Sequence, residues 1–254
     1  MNRRERRSVK PSGTCLFCGG PGMSKEHYYA RWLRKYLPPD GETTSHNVLR
    51  PDGLFETGTM RADRSLYAQT IRKVCKRCNG GWMSRLQVKV KPILQPLVSG
   101  ETNSVPSSTQ ADLARWLTMS FMVHEQSVPD LVTTPFDVRR HFSSNQDVPP
   151  HWRILLGRVI SGSTNKGAMT SAARFVESEI GEPEVPNFLV GVVPLGGLAA
   201  VVLGAQRDSA WALDAIPLSP KLDQLWPPQG DLTLQRQPLS DDELVAQACV
   251  LRTL

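Results

Sequence analysis

Long apolar runs are absent from this chain, and no stretch approaches the roughly 20 residues that span a bilayer. The charged N-terminal segment, residues 1–7, is not followed by the apolar core of a secretion signal. Charged residues make up 21% of the chain and apolar residues 40%, which are ordinary globular values and argue against wholesale disorder. We therefore expect a folded protein of the reducing cytoplasm, with no membrane partner.

Negative charge is scarce in the first third of the chain. Residues 1–91 carry 19 Lys and Arg against 7 Asp and Glu, a net charge of +12, whereas residues 92–254 carry 11 against 17, a net charge of −6. Neutralising a nucleic-acid phosphate releases condensed counterions, so a basic segment favours DNA or RNA as a partner. Charge alone leaves a solvated basic surface equally open. Residues 1–13 are predicted to be a basic flexible tail.

Cysteines are few, five in all, but four of them form two Cys-x-x-Cys pairs, Cys15/Cys18 and Cys75/Cys78. A two-residue gap lets both thiolates of a tight turn bind one ion, and two such pairs complete the Cys₄ set of structural Zn²⁺. Disulfides are disfavoured in a reducing compartment, and no βαβ pattern of a redox site surrounds either pair. The 56 residues between the pairs form an insertion far longer than the ~15–20 of a zinc ribbon.

Polar residues of catalytic type flank both cysteine pairs. Glu26 and His27 follow the first pair, and Asn79 directly follows the second pair at the start of a predicted helix. Neighbouring strand residues point to opposite faces, but they can converge at a strand end or bend. Two simpler interpretations stay open: Glu26 and His27 as an exposed pair at a helix start, and Asn79 as a helix N-cap. Trp82 is interpreted as a core residue.

These motifs together resemble the HNH endonuclease family, in its zinc-containing ββα-metal branch of phage and bacterial type. The resemblance is carried by the two cysteine pairs, the Glu-His dipeptide and the run from Cys78 to Leu86, CNGGWMSRL, and it covers residues 14–98. It implies an α+β fold in which an HNH module, residues 14–100, is held together by a Cys₄ zinc site. An acidic α+β domain, residues 109–254, follows it.

The resemblance also implies a metal-dependent hydrolysis of DNA phosphodiester bonds. His27 would be the general base, while Glu26 and Asn79 would hold a catalytic Mg²⁺ or Mn²⁺. The zinc would be structural. We expect DNA contacts from the basic residues around these motifs, which are Lys25, Arg72, Lys76, Arg77, Arg85 and Lys89.

Three positions depart from the family pattern. Glu26 stands where relatives more often have aspartate, Thr70 stands where many have a middle asparagine, and Met83 replaces a lysine or histidine. Asn47 could supply the missing amide from the insertion. These departures leave open a non-catalytic, zinc-containing DNA-binding protein derived from an HNH nuclease. A structural or interaction protein dominated by its acidic half is a third hypothesis.

The rest of the chain shows regular patterns but no readable chemical motif. We predict a long polar loop over 38–66, a strand over 67–74 and a short helix over 92–100, which ends in a turn before a linker at 101–108. Helices are predicted near 109–126, 135–144 and 240–252, and strands near 153–160, 187–193 and 198–204. His124-Glu125 is interpreted as the polar end of a core helix rather than a second acid-base pair. The acidic half could position DNA, form a homodimer or bind a protein partner.

Overall fold

The fold is described from a computed structural model, which covers residues 13–36, 47–49, 55–57, 69–127, 129, 132–160, 169–173, 175 and 186–252. Residues 1–12 of the predicted tail and most of the predicted loop 38–66 lie outside these ranges. The helices are α1 (Lys76–Cys78), α2 (Ser84–Ser99), α3 (Ser107–His124), α4 (Phe136–Asn145), α5 (Ala212–Ala215) and α6 (Asp241–Ala248). The strands are β1 (Met23–His27), β2 (Asn47–Leu49), β3 (Phe55–Thr57), β4 (Thr70–Cys75), β5 (Ser104–Val105), β6 (Trp152–Arg158), β7 (Met169–Ala173), β8 (Phe188–Leu195), β9 (Leu198–Ala205), β10 (Asp223–Trp226) and β11 (Leu232–Thr233).

The predicted α+β class is confirmed. The helices and strands predicted beyond residue 109 are found as α3, α4, β6, β8, β9 and α6, with bounds within a few residues of the pattern. The strand predicted before the second cysteine pair is β4. Periodicity and turn residues were sufficient here because each of these elements buries an apolar face or run of its own.

An antiparallel ribbon of β1 and β4 brings the two cysteine pairs together. Met23 is the partner of Cys75, and His27 is the partner of Thr70. The register shifts between Ser24 and Glu26, which marks a bulge. The bulge lies before Glu26, so Glu26 and His27 keep the regular alternation of a strand. Glu26 is buried, whereas His27 is half-buried.

The chain passes directly from β4 into a helix. Cys75 caps its first turn, because its Sγ accepts the backbone N–H of Cys78 at 3.4 Å. The segment Asn79–Met83 is a π-helical turn that contains two glycines, and α2 continues from it to Ser99. The α2 helix ends where Gly100 adopts the left-handed conformation that favours glycine (φ 82°).

The short helix predicted over 92–100 is helical as expected, but it is the second half of α2 and not an element of its own. Pro92 and Pro96 both lie inside the continuous α2. A proline in a helix interior removes a hydrogen bond and crowds the preceding turn, but α2 also buries Val90, Leu94 and Leu97 against the core. Tertiary packing therefore outweighs the local signal for a break.

The larger sheet has the order β10-β6-β9-β8-β7-β2-β3. Its last two strands come from the insertion between the cysteine pairs, so the predicted loop 38–66 is corrected at those positions. The β2 strand pairs parallel with β7, and β3 pairs antiparallel with β2. Both strands are three residues long, too short for a period-2 pattern to identify them.

Both faces of the larger sheet are covered. Every residue of β8 and β9 is buried, which explains why these strands are apolar throughout instead of alternating. The α2 and α3 helices cover one face together with the cysteine ribbon, and α5 and α6 cover the other. The apolar cluster on the first face includes side chains from Cys15 near the start of the chain to Leu234 near its end. The two halves of the chain therefore share one apolar cluster.

Close packing of α3 on the sheet depends on a glycine. A Cβ added at Gly191 in β8 would overlap the ring of Phe121 from α3. We expect Gly191→Ala to lower the free energy of unfolding by about 1–3 kcal/mol, because overpacking forces the ring or backbone to shift. Urea denaturation would measure this change. Gly80→Ala, where an added Cβ meets no atom within 4 Å, is the matched control and should change stability by less than about 0.5 kcal/mol.

Candidate metal centre and catalytic site

Four cysteine sulfur atoms form one cluster. The Sγ atoms of Cys15, Cys18, Cys75 and Cys78 all lie within 4.8 Å of one another, and those of Cys18 and Cys75 are 3.6 Å apart. A tetrahedral ion with metal–sulfur bonds of about 2.3 Å would place its sulfur ligands about 3.8 Å apart. The spacing and the all-thiolate donor set therefore fit a closed, four-coordinate metal site.

Backbone hydrogen bonds shape the first cysteine pair into a tight turn. Cys15 donates its N–H to the Gly20 carbonyl at 2.9 Å, and Gly19 donates to the Cys15 carbonyl at 2.8 Å. Gly19 takes a positive φ of 70°, which is a conformation that side chains disfavour. In the second pair, the first helical turn after Cys75 brings Cys78 back to the same side.

The environments of the cysteine thiols differ within the cluster. Burial raises the pKa of Cys15 and of Cys78. Burial acts in the same direction on Cys18, but hydrogen bonds from the Gly20 backbone and from the side chains of Cys78 and Arg77 lower the pKa of Cys18 to about 6. Thiolates are the form that binds metal, and one of the four is thus already favoured. The Arg77 side chain interacts with the Cys18 thiol, and it is also exposed to solvent.

Glu26 and Asn79, which are far apart in sequence, meet beside this cluster. The Asn79 Nδ2 donates to Ser24 Oγ at 3.0 Å and to the Lys25 carbonyl at 3.2 Å, and the Asn79 side chain is near enough to Glu26 to lower the pKa of its carboxyl. Two of the open alternatives are therefore wrong. Asn79 joins the helix to β1 instead of capping it, and Glu26 lies in a strand, with 6% of its surface exposed, instead of at a helix start.

The Glu26 carboxyl is in an unusual environment. Burial raises the pKa of Glu26 to about 7, and the Asn79 hydrogen bond opposes this only in part. No cationic side chain of the described residues contributes to that pKa. A buried carboxylate without a cation is costly, so such a group either keeps its proton or binds a positive ion.

His27 is the next residue of β1, and its imidazole is half-buried. Burial lowers the pKa of His27, and the positive charges of Arg31 and Lys25 lower it further. The imidazole is therefore neutral near pH 7 and able to accept a proton. Thr70, at the position where the family pattern has its middle asparagine, is the cross-strand partner of His27. Asn47 lies in β2 of the other sheet.

The surface around this site is positive. Over residues 13–36 and 69–91, every exposed charged side chain is basic, and the only carboxylate, Glu26, is buried. These basic residues are Lys25, Arg31, Arg34, Lys35, Arg72, Lys73, Lys76, Arg77, Arg85, Lys89 and Lys91. Of the six residues predicted to bind DNA, Lys89 forms an ion pair with Asp112 of α3 at 2.9 Å. Its ammonium is therefore committed in part to packing between helices.

Sequence reasoning missed several residues that contact the site. The Ser24 hydroxyl accepts a hydrogen bond from the Asn79 amide, and the positive charge of Arg31 lowers the pKa of His27. Arg139 of α4 donates a hydrogen bond to the Leu16 carbonyl within the first cysteine pair. Ser24 and Arg31 lie within four residues of His27, so they could have been considered as neighbours. Nothing in the local sequence of α4 signals the contact made by Arg139.

Trp82 joins the site to the rest of the molecule. Its ring packs edge-on against Phe17, with ring centres 5.0 Å apart, and against Phe142 of α4, with ring centres 5.7 Å apart. The prediction that Trp82 is a core residue is confirmed, since its exposed fraction is 9%. A base-stacking role for this ring is excluded by the same packing.

Comparison of the chain with protein-family models, with curated proteins and with solved structures finds no match. Among the described residues, no helix is both long and apolar enough to cross a membrane. The function must therefore be argued from the chemistry and geometry of the site.

Proposed function

We propose that this chain is a metal-dependent endonuclease of the HNH type, which hydrolyses DNA phosphodiester bonds. The observation that carries the proposal is the approach of Asn79, from the start of the helix, to the buried Glu26 of β1, which His27 follows directly in that strand. The strand, the returning strand and the following helix form a ββα unit around the four-cysteine cluster. This arrangement agrees with what the family resemblance implies.

Two metal sites with different chemistry follow. The four-thiolate cluster is suited to Zn²⁺ in a closed, structural role. Glu26 and Asn79 offer hard oxygen ligands, which suit Mg²⁺ or Mn²⁺ and leave positions for water and phosphate oxygens. Because Asn79 Nδ2 donates to Ser24 and Lys25, the amide oxygen Oδ1 is the atom left to bind a cation. When bound, that cation would supply stabilisation of negative charge on the phosphate.

Proton transfer and DNA binding would be carried out by side chains of the chain itself. A ring nitrogen of His27, neutral because its pKa is lowered, would accept a proton from the attacking water. Arg31 and Lys25 would disfavour retention of that proton. The basic surface would hold the DNA phosphates on either side.

The proposal is tested by incubating the zinc-loaded protein with supercoiled DNA in Mg²⁺ or Mn²⁺. We expect nicked and then linear products, and none in the presence of a chelator of divalent ions. Absence of cleavage in both metals, with DNA binding intact, would reject the enzymatic function and favour the binding protein described below.

DNA binding by the basic surface can be tested separately from cleavage. We expect Arg72→Glu and Lys76→Glu each to weaken binding and to reduce the slope of log K against log salt, by about 1 for each DNA phosphate that is no longer neutralised. Arg236→Glu, an exposed arginine outside this surface, is the charge-matched control. Equal effects from all three substitutions would show that only net charge matters and would remove this surface as the binding site.

The raised pKa of Glu26 predicts a pH dependence of metal binding. Below pH 7 a proton occupies the carboxyl and must leave before a cation binds, so affinity falls as pH is lowered. We expect the apparent Mn²⁺ affinity of the zinc-loaded protein to rise about tenfold from pH 6 to pH 8. Electron paramagnetic resonance of free Mn²⁺ would measure it, with Glu26→Gln as the control. A flat profile in the parent protein would contradict this role of Glu26.

The second candidate is a zinc-containing DNA-binding protein without catalysis. Two observations favour it. Thr70, not asparagine, lies opposite His27, and Met83 is fully buried, so its position cannot contact a phosphate. This candidate keeps the zinc site and the salt-dependent DNA binding but shows no cleavage in any divalent metal.

A further inference from the structure

The middle of the first cysteine pair is attached to two distant elements. Leu16 donates its backbone N–H to the Lys73 carbonyl of β4 at 2.8 Å. Its own carbonyl accepts a hydrogen bond from Arg139 Nε of α4 at 3.0 Å. Both backbone groups of a residue between two cysteines are therefore fixed from outside the turn.

Arg139 lies beside a buried carboxyl group. The guanidinium is 3.9 Å from Glu125 Oε1, which is longer than a hydrogen bond, and the two side chains are only 12% and 1% exposed. The other carboxylate oxygen accepts hydrogen bonds of 3.1 to 3.2 Å from the backbone N–H and hydroxyl groups of Thr133 and Thr134. Arg139 also donates to the Thr134 carbonyl. The guanidinium thus has a defined position before it reaches Leu16.

Such a buried pair is not an efficient way to stabilise a fold. The cost of removing both charges from water offsets most of their attraction, and apolar replacements often do as well. What the pair does supply is geometry, because a planar guanidinium with several donors fixes the groups it bonds. Phe136 of α4 lies against Gly19 in the same turn, so the helix touches this cysteine pair at two points.

We infer that Arg139, which bridges the Thr134 and Leu16 carbonyls beside Glu125, is a positioning residue of the four-cysteine centre. Residues of the acidic half thereby hold the Cys15/Cys18 turn in the shape that binds metal. The inference rests on the proposed zinc site but not on nuclease activity. It gives the buried His124-Glu125 end of α3 a structural role in the N-terminal site.

Zinc release is the measurement that tests it. The purified full chain, loaded with zinc, is mixed with a chromophoric chelator, and the release rate is recorded. We expect Arg139→Gln to release zinc at least tenfold faster than the parent protein. Arg139→Lys, which keeps the charge but cannot bridge the same groups, should fall between them. Arg140→Gln, an exposed neighbour on the same helix, should release zinc at the parent rate.

A general loss of stability must be separated from a positioning effect. Gly157→Ala, whose added Cβ in β6 would lie 2.7 Å from Leu239 in the apolar core on the other face of the sheet, serves as a destabilised control that should keep the parent release rate. The absorption of Co²⁺-substituted protein is a second readout, because its d–d bands report distortion from tetrahedral geometry. We expect them to shift in Arg139→Lys and not in Gly157→Ala.

The outcomes distinguish the two levels of inference. Parent protein that holds no firmly bound zinc would overturn both the metal centre and this role of Arg139. Zinc-loaded parent protein whose Arg139 variants release metal at the parent rate, with unchanged Co²⁺ spectra, would overturn the role of Arg139 alone. Release that rises equally in Gly157→Ala would also overturn it, since stability would then account for the effect.

Discussion

Replacement of His27 by alanine is expected to reduce the rate of DNA cleavage by about 10²–10⁴-fold, the usual contribution of a general base. The substitution removes a half-buried imidazole from the end of a strand and leaves the Glu26–Asn79 contact and the cysteines in place. Zinc content and DNA affinity should therefore change little. The measurement is the single-turnover nicking rate at saturating protein, compared with the binding constant of the same preparation.

His141→Ala is the matched control for this experiment. His141 lies on α4, with its side chain 63% exposed and 3.9 Å from Asp147, and the variant should cleave at the parent rate. Cleavage that survives His27→Ala unchanged would contradict the proposed role of the imidazole. Partial rescue at high pH would support it, since hydroxide then replaces the water that the base would activate.

The site was accessible to sequence reasoning because its residues flank ligands with a strict spacing. Two Cys-x-x-Cys pairs imply that both turns meet at one ion, and Glu26 and Asn79 lie within eight residues and one residue of a cysteine, respectively. Bringing the cysteines together therefore brings these side chains near each other. The bulge that precedes Glu26 in β1 has no such signature.

The parts that could not be predicted depend on long-range contacts. The β2 and β3 strands form only because β7 offers a free edge more than 100 residues later in the chain. Arg139 reaches Leu16 across 123 positions, and a continuous α2 tolerates two prolines only because its apolar face is packed. In each case the deciding partner is absent from the local window that periodicity examines.

The division into a basic and an acidic half describes charge better than it describes packing. The ring of Trp82 contacts Phe142 of α4, and His124 at the end of α3 packs beside Tyr28 and Tyr29, which directly follow His27. Side chains of the acidic half thus pack against the buried side of the site, whereas the exposed surface around the site is basic. Nucleic acid would meet one face and the supporting helices would remain on the other.

Replacement of Cys78 by serine is expected to have the largest effect on stability. Structural zinc contributes about 10–16 kcal/mol of binding free energy in small zinc domains. Here it would offset the entropy of closing the long connection between β1 and β4. Removal of one thiolate should release bound zinc and lower the free energy of unfolding by several kcal/mol, an effect comparable to that of losing a structural metal or disulfide.

Cys249→Ser provides the control, because Cys249 is the fifth cysteine and ends α6 outside the cluster. It should retain one zinc per chain and the parent melting temperature, whereas Cys78→Ser should lose both. Metal content by atomic absorption and thermal denaturation on the same samples would check this. A Cys78→Ser protein that melts like the parent would show that the ribbon and helix hold together by packing alone. The positions of Glu26 and Asn79 would then owe nothing to a metal ion.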